Sequence, residues 1–174
     1  TNDGIIGDHL RSNRYALAQI MLNDQLPNGR VRPMLVEEVE QIAKIDAVAY
    51  PYPWSEQIFR DCIKSRYHCI VYENDQQMLG YAVLSVAVGE AHILNICILP
   101  EKQNCGLGRD LLNYLIELAR EEQVETMFLE VRFSNESAKR LYDRVGFNEL
   151  GIRKNYYPAK EGREDALVLA MNIL

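Results

Sequence analysis

Three short stretches hold residue types that could do chemistry together. In QNCGLGRDLL, Gln103 to Leu112, two glycines stand two apart at the mouth of a leucine-spaced segment. In TMFLEVR a single carboxylate, Glu130, sits inside an apolar run, and in SAKRLYDRV a phenol, Tyr142, sits on an apolar helical stripe. A helix start exposes unpaired N–H donors and carries partial positive charge, and glycines let an anion approach that backbone. A carboxylate can accept a proton and a phenol can give one.

Each stretch also has a plainer reading. The glycine pair can be a turn that merely starts a helix. A dinucleotide-binding unit fits poorly, although Glu130 lies about 20 residues on, where a ribose-binding acid belongs. The third glycine is absent, with Leu111 in its place, and LPEKQNC separates the first glycine from the preceding strand. A Walker loop fails because no Gly-Lys-Ser/Thr follows. Glu130 shares one face of its strand with Phe128 and Arg132, so it is either a buried base with a raised pKa or the partner of Arg132. Tyr142 lies with Ala138, Leu141 and Val145, a pattern that also describes core packing. Cys97 and Cys105 suggest an acyl-cysteine, but neither has a histidine nearby in sequence, so a small apolar role is expected.

The elements that must carry these residues follow from periodicity. VRPM begins extended, and Val36, Val39, Ile42 and Ile45 continue at helical spacing; Ser55 is placed to cap EQIFRDCIKS. YHCIVYE, QMLGYAVLSVA and EAHILNICIL read as strands, with NDQQ as a hairpin turn between the first two. A helix is predicted from Gly106 to about Glu122, with Leu107, Leu111, Leu115 and Leu118 on one face. TMFLEVR is a strand. A helix follows, capped by Ser134 or Asn135 and ended by Gly146, and two more strands close the chain. The class is mixed α/β around one largely antiparallel sheet. Parallel pairing can enter only where a helix crosses over, between HILNICIL and TMFLEVR.

The 174 residues carry a net charge of −6, four cysteines and three histidines. One domain is expected, preceded by a segment over residues 1–30 to which no chemistry is assigned, although NRYALAQIMLND can form a short amphipathic helix. The acidic balance argues against a nucleic-acid face, and no apolar run is long enough for a membrane span. The cysteines form no C-x-x-C and none lies beside a histidine at metal spacing, so a reduced, cytoplasmic setting and no metal are expected.

Read as a set, Q-x-x-G-x-G, LEVR-x-SN, LY-x-x-x-GF and NYYP…GREDA resemble the GNAT N-acetyltransferases, and residues 31–174 look most like the bacterial ribosomal-protein-alanine N-acetyltransferases. The resemblance implies a GNAT fold whose two middle strands splay apart. It implies acetyl-CoA as cosubstrate, with Asn104, Cys105, Gly106, Leu107, Gly108 and Arg109 around the diphosphate. Ile96, Cys97 and Ile98 would offer main-chain groups to the pantetheine and acetyl carbonyl, and Asn135 would touch the CoA arm as well as cap its helix. Glu130 would be the proton acceptor and Tyr142 the general acid. Tyr156 and Tyr157, expected in the connection between the last two strands, would close over a peptide. The implied acceptor is the N-terminal alanine of a small-subunit ribosomal protein. A lysine or small amine is the alternative acceptor, and a CoA-binding module without turnover the alternative class. One departure is Asn104, where the family loop commonly has Arg; binding is expected to survive, more weakly.

Overall fold

In a computed structural model, residues 20–24, 26–75 and 77–174 are described. From Arg30 on, the described residues form seven strands and four α-helices in the order β1 (Arg30–Pro33), α1 (Val39–Ala49), α2 (Glu56–Lys64), β2 (His68–Glu73), β3 (Met78–Ala87), β4 (Glu90–Ile98), α3 (Leu107–Glu121), β5 (Thr126–Arg132), α4 (Glu136–Val145), β6 (Asn148–Pro158) and β7 (Arg163–Asn172). This is the predicted order. The strands form one sheet, β1-β2-β3-β4-β5-β7-β6. Every pairing is antiparallel except β4 with β5, which α3 joins as a crossover.

Strand alternation gives the sheet two apolar faces. One, with Ile70, Ala82, Leu84, Met127, Leu129 and Val131, packs on Leu111, Leu115 and Leu118 of α3 and Tyr142 of α4. The other, with Val71, Tyr81, Val83 and Cys97, packs on Ile42 of α1 and Phe59 of α2. Glu130 is set on this second side by the alternating burial of β5.

Local signals explain the boundaries. Ser55 Oγ accepts from Ile58 N–H and starts α2, and Asn135 Oδ1 accepts from Ala138 N–H and starts α4. Gly146, at φ +112°, ends α4 in the left-handed region. Between β2 and β3, Asn74 N–H donates to Gln77 O and Asn74 Oδ1 accepts from Gln77 N–H, closing the predicted turn.

Three details depart from the pattern. Val36 opens a 3₁₀ turn and is exposed, so α1 begins only at Val39. The buried position one turn after Ile42 belongs to Asp46, while Ile45 is only half-buried. Tyr156, Tyr157 and Pro158 are not in the last connection but in β6, because the strand persists through an irregularity between Arg153 and Tyr157.

Part of the predicted N-terminal helix, including Tyr15 and Leu17, lies outside the described residues. Of its later positions Leu22 is buried, whereas Ile20 and Met21 are exposed. Asn23 grips β1: its Nδ2 donates to Val31 O at 2.9 Å and its Oδ1 accepts from Val31 N–H at 2.6 Å. Among the described residues no helix is long and apolar enough to cross a membrane.

Candidate active site

The site begins where the sheet opens. β4 and β5 pair from Glu90 with Thr126 as far as Ile93 with Leu129, yet β4 continues to Ile98 and β5 to Arg132. At that point β4 carries a bulge, since Val83 pairs with Asn95 but Leu84 with Ile93, leaving Leu94 extra. A bulge bends its strand and raises the local twist, which turns β4 away from β5.

Backbone direction in the opened stretch follows from the antiparallel alternation. Leu99 N–H donates to Leu79 O at 2.9 Å, so the odd-numbered residues of this part of β4, Cys97 included, bond to β3. The main-chain groups of Ile96 and Ile98 therefore face the gap. Both carbonyls there are engaged: Tyr50 Oη donates to Ile96 O at 2.7 Å, and Gln103 Nε2 to Ile98 O at 3.0 Å. The N–H groups are what this edge presents.

Beside the gap lies the mouth of α3. Its N-cap is Gly106 at φ +87°, preceded by Asn104 at φ +62°, and no side chain caps it. The early N–H groups of α3 thus remain donors for an anion. A Cβ on Gly108 would stand 3.5 Å from Leu141 and 3.8 Å from Ile98, so helix start, α4 and β4 converge here. Cys105 is exposed on the loop and Arg109 on the first turn of α3. A Cβ on Gly106 would meet nothing within 4 Å, so Gly106→Ala costs only the left-handed backbone, about 1–2 kcal/mol. A modest drop in melting temperature and weaker acetyl-CoA binding by calorimetry are expected, because relaxing that φ turns the loop donors.

Glu130 is 21 % exposed rather than sealed among apolar side chains, and its ion-pair partner is Arg153 of β6, 3.5 Å from Oε1. The pairing with Arg132 weighed from sequence does not form. Arg132 turns instead to Glu164 Oε2 at 3.1 Å and Pro158 O at 2.8 Å, and its guanidinium lies between the rings of Tyr157, at 4.5 Å, and Tyr52, at 5.3 Å. It ties β5, β7, the end of β6 and the α1–α2 loop into one wall.

Tyr142 is buried on α4, edge-on to Phe147. Burial, with a smaller contribution from Tyr157, pushes its phenol above the ordinary tyrosine range. Burial and then Glu130 push Tyr157 up to about 12. Tyr50 is raised by burial, then by Cys97 and Tyr142. Tyr157 is thus influenced by Glu130 and itself influences Tyr142, although those two residues belong to opposite faces of the sheet.

Cys97 is buried, and burial raises its thiol to about 11, which leaves little thiolate near neutrality. Tyr156 and Tyr157 stand edge-to-face at 5.0 Å on the β6 irregularity. Residues of the GREDA stretch pin it: Asp165 accepts from Lys154 Nζ at 2.8 Å and Asn155 N–H at 2.9 Å, and Arg163 Nε donates to Asn155 O at 2.6 Å. Sequence reasoning missed Tyr50, Tyr52 and Arg153. The proline-punctuated YPYPW was a signal for the first two, because prolines stiffen a loop that presents aromatics.

Asp46, 1 % exposed, fixes that loop. Its carboxylate accepts from Trp54 N–H at 2.7 Å, Tyr81 Oη at 2.6 Å and Asn95 Nδ2 at 3.1 Å, linking the loop to β3 and β4. Asp46→Ala strands three donors, and leaving one buried donor unpaired costs about 1–3 kcal/mol. A loss of about 3 kcal/mol or more in denaturant unfolding is expected, with Asp46→Asn milder.

The Acetyltransferase (GNAT) family model matches residues 36–147. The Escherichia coli K12 ribosomal protein bS18-alanine N-acetyltransferase is 42 % identical over 129 residues, covering 74 % of this chain and 87 % of that protein. The Haemophilus influenzae protein of the same name is 42 % identical over 134 residues, covering 76 % and 91 %. The crystal structure of the Escherichia coli ribosomal-protein-S18-alanine N-acetyltransferase superimposes with TM-score 0.78 at 37 % identity, over 83 % of this chain and 94 % of that one. The fold alone is shared with yncA of Salmonella typhimurium, solved with its cofactor acetyl-CoA, at TM-score 0.71 and 20 % identity over 84 % and 95 %.

Proposed function

The chain belongs to the acetyltransferase (GNAT) family, and from that premise we propose that it acetylates the N-terminal alanine of a small-subunit ribosomal protein of the bS18 kind, using acetyl-CoA. The observation that carries the reading is the opening between β4 and β5, with the main-chain N–H groups of Ile96 and Ile98 directed into it beside the uncapped start of α3. The two bS18-alanine N-acetyltransferases at 42 % identity supply the acceptor class.

The residues present fit acetyl-CoA. The uncapped start of α3, with Asn104, Cys105, Gly106, Leu107, Gly108 and Arg109, suits a diphosphate. The gap edge at Ile96 and Ile98 suits an extended amide-bearing arm, and Asn135 caps α4 nearby in sequence to Arg132. When bound, the thioester supplies an activated acetyl group. The Ile96 N–H can donate to a carbonyl oxygen that gains charge. Glu130 accepts the proton of the attacking amine, directly or through water, and Tyr142 Oη donates a proton to the departing thiolate. The amine attacks directly in a ternary complex, in keeping with the raised Cys97 thiol. Tyr52, Tyr156 and Tyr157 give the acceptor peptide rigid aromatic walls.

Mass spectrometry tests the reading with a synthetic peptide beginning with Ala, a copy with a blocked N-terminus and one free Lys, acetyl-CoA and the protein. Acetylation of the free N-terminus only is the expected result. Acetylation of the blocked copy moves the acceptor to lysine. No acetylation with confirmed acetyl-CoA binding leaves the fold and overturns the peptide reading.

A further inference from the structure

Arg153 is the cation that faces Glu130. It pairs with Ala166 of β7, whose other neighbour is Arg132 of β5, and it is the last β6 residue in register before the strand carries extra residues up to Tyr157. From there its guanidinium reaches diagonally to Glu130 Oε1 at 3.5 Å and lies over the Tyr156 ring at 5.4 Å. The Arg153 side chain is 55 % exposed and that of Glu130 21 %, so Arg153 covers the carboxylate from the solvent side. The other charged and titratable groups around Glu130 are turned elsewhere or neutral. Arg132 is committed to Glu164, Pro158 O and two rings, and Tyr157 keeps its proton near neutrality.

The contact does not serve the fold. A single ion pair with one exposed partner adds little to stability. The β6 irregularity is held without Arg153, by Asp165 on Lys154 and Asn155 and by Arg163 on the carbonyls of Asn155 and Tyr156. What the contact does is restrain, through one of its two oxygens, a carboxylate that no other hydrogen bond or ion pair orients among the described residues. The second oxygen is left for a proton. A cation at the first also disfavours an acceptor that stays an ammonium beside it, because like charges repel.

We propose that Arg153 is a positioning residue for acetyl transfer: its guanidinium fixes the Glu130 carboxylate through Oε1 and leaves Oε2 to the acceptor amine or its relay water. The inference rests on the reading of Glu130 as proton acceptor.

The test is a double-mutant cycle on the full chain, with an Ala-initiated peptide as acceptor. Arg153→Ala is expected to lower kcat about tenfold, a coupling ordinary for contacting residues. The KM for acetyl-CoA and its calorimetric affinity stay unchanged. Arg153→Lys, which keeps a cation in reach, recovers most of the rate. In a Glu130→Gln background, Arg153→Ala has no further effect on kcat. Additive losses in the two backgrounds would mean that Arg153 acts on the peptide wall and would overturn the proposal, as would a full-rate Arg153→Ala protein. A full-rate Glu130→Gln protein would overturn the base assignment and the proposal together, which separates the two failures.

Discussion

Glu130→Gln is expected to lower kcat for an Ala-initiated peptide by about a hundredfold or more, the usual contribution of a positioned general base. An amine attacks a thioester only when neutral, and at neutral pH a terminal amine is partly an ammonium. A carboxylate at the open edge of β5 can take that proton as the new bond forms. Glutamine keeps the shape and the strand but cannot take it. The side chain is partly exposed and its one ion pair is at the surface side, so the melting temperature is expected to hold within a few degrees. Steady-state CoA release and calorimetric acetyl-CoA binding check both halves. Unchanged kcat would remove Glu130 from the proton path and leave water as the acceptor.

Tyr142→Phe is the second large effect, again about a hundredfold in kcat, because a departing thiolate left without a proton donor is a poorer leaving group. Burial holds the phenol protonated through and beyond the neutral range, so the donor persists at pH values near 10, where a free tyrosine begins to ionise. Phenylalanine keeps the ring, its edge contact with Phe147 and its place against α3, so the fold is retained. A Tyr142 that only filled the core would show unchanged kcat and a small stability change. Single-turnover measurements separate the outcomes, since the loss belongs to the chemical step and not to acetyl-CoA binding.

The order of elements and the crossover were legible because strand alternation and leucine spacing are local signals, read without knowing what lies opposite. The uncapped glycine start of α3 was legible for the same reason: Gly106 adopts a φ that its residue type favours. Glu130 was assigned to the correct face of β5 by alternation alone. Its partner was not, because Arg153 reaches it across β7 from 23 positions on, and the nearer Arg132 had the better sequence separation and the wrong direction. The exposure of Glu130 was missed with it, since apolar neighbours along a strand do not report what covers their opposite face.

Asp46 shows the limit from the other side. Helical spacing put Ile45 on the buried stripe, but the donors of Tyr81, Asn95 and Trp54 converge one position later, and a carboxylate with three partners can be buried where an unpaired one cannot. The residue types, their elements and the faces they occupy were thus determined by the sequence. Their partners and the opening beside them were decided only by tertiary structure. Tyr142 and Glu130 stand on opposite faces of one sheet, which a continuous sheet would keep apart. The sheet opens beside them because β4 bulges at Leu94 and parts from β5 after Ile93. That separation depends on how β4 pairs with β3 on one side and, beyond α3, with β5 on the other, which no single stretch of residues encodes.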